Sequence, residues 1–66
     1  MTDSEHRYIQ KQVARYLDYS KQANQEACND CLYRIASCLD LTLEPAYTPA
    51  IGQLALDWLA QHHYLM

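Results

Sequence analysis

Residues 1–44 contain neither Gly nor Pro; the first proline is Pro45 and the only glycine is Gly52. A chain without its strong breakers over that length has no ready residues for the tight hairpins of a small sheet. Its apolar residues recur instead at helical spacing. Thr2 followed by Glu5 fits a capping box, and Asp3 and Glu5 suit the positive end of a helix dipole. Ile9, Val13, Tyr16 and Leu17 share one arc of a 3.6-residue wheel with His6 and Ser20, and Tyr8 and Tyr19 border it. This predicts an amphipathic helix over residues 4–20 with a wide, aromatic-edged face.

The polar run from Asp18 to Asn24 carries no breaker, so residues 4–40 could form one helix. A single rod could not fold its apolar face back on itself, and Asn24 is a good N-cap. A turn followed by a second helix over residues 25–40 is therefore favoured. There Cys28, Cys31, Leu32, Ile35, Cys38 and Leu39 occupy a stripe of about 120°, at about 100° per residue. Glu26, Asn29, Asp30, Tyr33, Ser37 and Asp40 lie on the other side.

From Leu39 to Glu44 the residues alternate with a period of two, as a strand would. No second strand-like run exists to pair with it, and an isolated strand is not stable. The segment reads as the end of helix 2 and an extended connection that tucks Leu41 and Leu43 against the bundle. Pro45 closes it and biases Glu44 away from helical geometry. Thr48-Pro49 then supplies an N-cap and a proline suited to the first helical position. A third helix over residues 49–63 puts Ile51, Leu54, Ala55, Trp58, Leu59 and His62 on one arc, with Leu56 off it. Gly52 inside it costs up to about 1 kcal/mol relative to Ala, and marks a close helix–helix approach or is simply tolerated. The expected fold is all-α: a small three-helix bundle in one domain, a hairpin of helices 1 and 2 with helix 3 packed across it.

Charge and composition remove several functions. With 50% apolar and 20% charged residues, the chain is not a disordered tail. No apolar run is long enough to span a membrane, and the polar, acidic start Met1-Thr2-Asp3-Ser4-Glu5 predicts a cytoplasmic protein. The net charge is −3, and Arg7, Lys11, Arg15, Lys21 and Arg34 are its only basic residues. Helix 3 has none, which argues against a recognition helix and against nucleic-acid binding in general. There is no nucleophile elbow, no phosphate-binding glycine loop and no HExxH, so neither an enzyme nor a cofactor is expected.

Cys28-x2-Cys31-x6-Cys38 contains a CxxC. A redox motif would need a βαβ context, and a strong zinc motif a second CxxC; neither is present. The cysteines are therefore assigned to the core, as small hydrophobes. The alternative is a zinc-binding bundle using Cys28, Cys31, Cys38 and His62. His62 reads more simply as a residue favouring the helix dipole, with His63 in solvent.

The six Tyr and one Trp, with no Phe, form an interface-rich aromatic set. A chain of 66 residues buries barely enough apolar surface to offset its conformational entropy. Disulfides, metal or a partner commonly make up the difference, and the residues favour a partner. The candidate partner-binding residues are Tyr8, Arg15, Tyr19, Tyr33, Leu56 and Tyr64. The expected function is a non-enzymatic regulator, inhibitor or adaptor that docks on another protein, with a homodimer completing the bundle.

Overall fold

Each of the three helices starts at a side chain that satisfies an otherwise orphaned backbone N–H. In the computed structural model, which describes residues 2–65, these helices are α1 (Asp3–Lys21), α2 (Gln25–Cys38) and α3 (Pro49–Gln61). Thr2 Oγ1 accepts from Glu5 N at 3.2 Å, Asn24 Oδ1 from Ala27 N at 3.3 Å, and Thr48 Oγ1 from Ile51 N at 3.3 Å. The Thr2 hydroxyl also donates to the Glu5 carboxylate at 3.2 Å, so the two residues pair as a capping box requires. All described elements are helical, as the residue spacing predicts.

All three helices end the same way, in a left-handed residue that is not glycine: Ala23 (φ 56°), Asp40 (φ 57°) and His63 (φ 62°). In each case the next amide reaches back across the last turn: Asn24 N to Tyr19 O (2.9 Å), Leu41 N to Ala36 O (2.8 Å), Tyr64 N to Leu59 O (2.9 Å). The left-handed residue adds the inner bond, as from Ala23 N to Ser20 O at 3.1 Å. These are Schellman closures, which satisfy the last carbonyls of a helix. Ala23 thus breaks the chain into two helices where one rod was conceivable. Asp40 stops α2 at Cys38, two residues short of the predicted end, and His63 stops α3 at Gln61 rather than 63.

α2 is the central element and packs against both of the others, while the backbones of α1 and α3 do not pair directly. Cys28 lies against the Tyr16 carbonyl, and the start of α1 shares a groove with the end of α2, so these two helices are antiparallel. Residues at the start of α3 lie beside Ser20 and Gln25, and Tyr64 beyond its end bonds to His6. α3 therefore runs in the same sense as α2. The connection from Leu39 to Thr48 must travel back along α2 to allow this, and the Tyr33 hydroxyl holds it by donating to the Glu44 carbonyl at 2.8 Å.

The core is built from Ile9 and Val13 of α1, Leu32, Ile35 and Ala36 of α2, and Ile51, Ala55 and Leu59 of α3. Leu41 packs against it from the connection, as predicted, but Leu43 is 96% exposed rather than tucked in. Reversal of the chain at Asp40 leaves only one of the two alternating leucines facing inward. Gly52 is not a helix–helix contact either. Tyr47 lies across it, and a Cβ there would collide with the Tyr47 hydroxyl and come within 2.9 Å of its Cζ. One polar side chain, Gln12, is drawn inside with its Oε1 unpartnered. Such an orphan costs about 1–3 kcal/mol. The radius of gyration, 11.0 Å, is that of a compact chain of this length, for which about 11 Å is expected. No helix of the described residues is long and apolar enough to cross a membrane.

Candidate functional site

Antiparallel packing brings the first turns of α1 beside the last turns of α2, and a groove of about 500 Å³ opens between them. Glu5 and Tyr8 line it from α1; Tyr33, Arg34 and Cys38 line it from α2. Arg34 is fixed across one turn of helix by Asp30, with Nε to Oδ2 at 2.9 Å. That hydrogen bond and the Asp30 charge push the Arg34 pKa above its ordinary value, and the nearby Tyr8 oxygen adds to the effect. The exposed guanidinium thus lies beside an aromatic ring and is oriented by Asp30. Tyr8 is 36% exposed at this rim. The groove combines an apolar floor, two tyrosine bodies and charges of both signs.

The structure splits the candidate partner-binding residues among different places. Tyr8 and Tyr33 both line the groove. Tyr33 also serves the fold through its bond to Glu44, so it is not purely a surface residue. Arg15 is exposed farther along α1, and Tyr19 is half-buried one turn beyond it. Leu56 and Tyr64 lie elsewhere. Leu56 packs on the core and lines a separate cleft, whereas Tyr64 sits between the rings of His6 (centroids 5.4 Å apart) and Trp58 (5.6 Å). The sequence singles out neither Arg34 nor Glu5, and it offers Cys38 only for the alternative zinc set. The i, i+4 spacing of Asp30 and Arg34 was the available signal for the first. Seeing the other two required knowing that the start of α1 lies beside the end of α2.

The three cysteines are free thiols; Cys28 and Cys31 are buried and Cys38 is partly buried. Burial is the main cause that pushes the Cys31 thiol pKa up, aided by Asp30 and Cys28 and opposed by Arg15 and Arg34. Burial likewise raises Cys38, with Glu5 and Asp40 adding to it. These two thiols therefore stay protonated at neutral pH, which is the opposite of what an activated nucleophile requires. Nor does His62 approach them. It is exposed at the end of α3, with Nδ1 2.9 Å from the Trp58 carbonyl and its ring stacked on Trp58 at 3.9 Å. Placing it on the buried arc assumed that α3 continues through 63. Among the described residues no three His, Cys, Asp or Glu side chains gather as a metal site.

Comparison with protein-family models, with curated proteins and with solved structures returns no match for this chain.

Proposed function

We propose that this chain is a small, non-enzymatic interaction module of the cytoplasm that regulates, inhibits or adapts a partner protein by docking the α1/α2 groove onto it. A second copy of the chain is one such partner. The observation that carries this reading is Tyr8 beside an Arg34 whose guanidinium is oriented by its bond to Asp30. Tyrosine and arginine are the residues that most often anchor protein interfaces, and side chains ordered in advance lose less entropy on binding. The exposed surface adds support. At 4678 Å² it exceeds the roughly 4,300 Å² typical of a monomer of this mass.

A photo-crosslinking residue placed at Tyr8, and separately at Gln10 on the far side of α1, tests the reading in the source cell. The expected result is a discrete adduct from position 8 that is absent from position 10 and is lost with Arg34→Glu. Identical adducts from both positions, or persistence in the Arg34→Glu chain, would refute it. Light scattering over a concentration series then separates a partner of different sequence from a homodimer.

A further inference from the structure

A second cavity, of about 320 Å³, opens at the other end of the bundle, where the turn between α1 and α2 meets the start of α3. It shares no residue with the α1/α2 groove. Its volume lies at the lower end of the range of small-molecule sites, about 300–1,000 Å³. The composition of its walls is unusual for this chain. Eight acidic and five basic residues are distributed through the sequence, yet none of them lines the cavity. A charged ligand would be partly desolvated there without meeting an oppositely charged side chain.

The walls nevertheless carry hydrogen-bonding groups. The hydroxyls of Tyr16, Ser20 and Tyr47 make no hydrogen bond to any described residue. Gln25 and Gln53 donate their amide protons to Asn29 (2.8 Å) and Asp57 (2.8 Å), which leaves their carbonyl oxygens as acceptors. Burial, with Cys28 and Tyr47 nearby, raises the Tyr16 pKa, so its phenol remains a neutral donor. Leu32 and Leu56 supply the apolar surface. Gly52 shapes the space, because only a residue without Cβ lets Tyr47 lie flat against α3 beside it. The result is an uncharged cleft with two tyrosine rings and free donors and acceptors, as a planar polar molecule requires.

We propose that this cavity binds an uncharged, planar aromatic small molecule bearing an amide or a similar hydrogen-bonding group. Three near-isosteric probes separate this from a solvent-filled notch: benzamide, benzoate and benzamidinium, each titrated against the ¹⁵N-labelled chain. Benzamide should give saturable shifts at the amides of Gln25, Gly52 and Gln53. The two ions should bind about tenfold or more weakly, since each must be desolvated without a counter-ion. Ser20→Tyr, which places a ring in the cavity mouth, should abolish the benzamide shifts while leaving the helical circular-dichroism spectrum intact. If that chain fails to fold, Gln53→Trp on the exposed face of α3 provides the same block. Absence of saturable shifts up to the solubility limit of benzamide would overturn the proposal. So would equal response to all three probes, or shifts centred on Tyr8 and Arg34.

Discussion

The starts and the ends of the three helices are built from different material. At the starts, Thr2, Asn24 and Thr48 each accept a backbone N–H through a side-chain oxygen. At the ends, Ala23, Asp40 and His63 adopt a left-handed conformation that costs a non-glycine residue about 1–2 kcal/mol. Nothing in those three side chains recommends them equally for that role. What distinguishes them is the residue that follows. Leu41 and Tyr64 pack on the core, and Asn24 opens the next helix. The starts are thus specified by local side-chain chemistry, whereas the ends of α2 and α3 are held by packing on the core that offsets backbone strain, and the end of α1 is held by the cap that opens α2.

That contrast predicts which changes hurt most. Leu41→Ala removes the packing that holds the end of α2 and should cost about 2 kcal/mol, less than a fully buried leucine because Leu41 is only partly buried. For a chain this short, the thermal midpoint should fall by roughly 8–16 °C. Loss of a cap should cost less. Asn24→Ala and Thr48→Ala each remove one side-chain acceptor and should cost about 1 kcal/mol. The two caps open different helices, and the double variant shows whether their effects add. Urea titrations of the single and double variants provide the measurement. If either cap variant proves more damaging than Leu41→Ala, the division between local starts and packed ends fails.

At the ends themselves the sign reverses. Ala23→Gly relieves the left-handed strain but gives the unfolded chain more freedom, and the balance should stabilise by about 0.5–1 kcal/mol. Asp40→Gly and His63→Gly should gain less, because Asp and His tolerate the left-handed region better than Ala does. The ordering of these three variants by chemical denaturation is the sharper test. A loss of stability at all three positions would mean that the side chains, and not the packing beyond them, hold the ends.

The same division explains what could be read from the residues in advance. Thr2-x2-Glu5, Asn24 and Thr48-Pro49 are local signals, and the three helix starts follow from them to within a residue. The inward faces of α1 and α2 follow from the spacing of Ile9, Val13, Leu32 and Ile35. Periodicity, however, does not announce where it stops, and with glycine absent from all three ends there was no punctuation to mark Ala23, Asp40 or His63. Two errors descend from that. The period-two spacing points Leu43 inward although the chain has already reversed at Asp40, and a helix continued to 63 puts His62 on a buried arc although α3 ends at Gln61. The groove was half legible: Tyr8 and Tyr33 stand out as aromatics, but their meeting with Glu5 and Cys38 depends on the direction of packing. Gln12, a polar residue at the edge of the α1 face, carried no signal that it would be enclosed.

Alkaline titration isolates the packed half of the contrast, because the capping Thr and Asn side chains do not ionise while the seams contain groups that do. Cys31, Cys38 and Tyr16 all have pKa values raised in the folded chain, each with burial as the leading cause. Below about pH 7.5, a full unit under the ordinary thiol value, the thiols are protonated in both folded and unfolded chains, and stability should not depend on them. As pH rises through the unfolded thiol value, the unfolded chain releases protons that the folded chain retains, so folding stability must fall. Cys38 should contribute strongly for its exposure, since its thiolate would face both Glu5 and Asp40. Thermal midpoints measured from pH 7 to 10 should therefore decline for the parent chain and decline less for Cys31→Ala/Cys38→Ala, with Tyr16→Phe flattening the upper part further. The effect is the smallest of those argued here and the least dependent on mutational damage, because each variant is compared with itself at neutral pH. Parallel curves for parent and variants would show that the α1–α2 seam admits water freely enough to ionise its thiols, and packing would lose its claim to hold the helix ends.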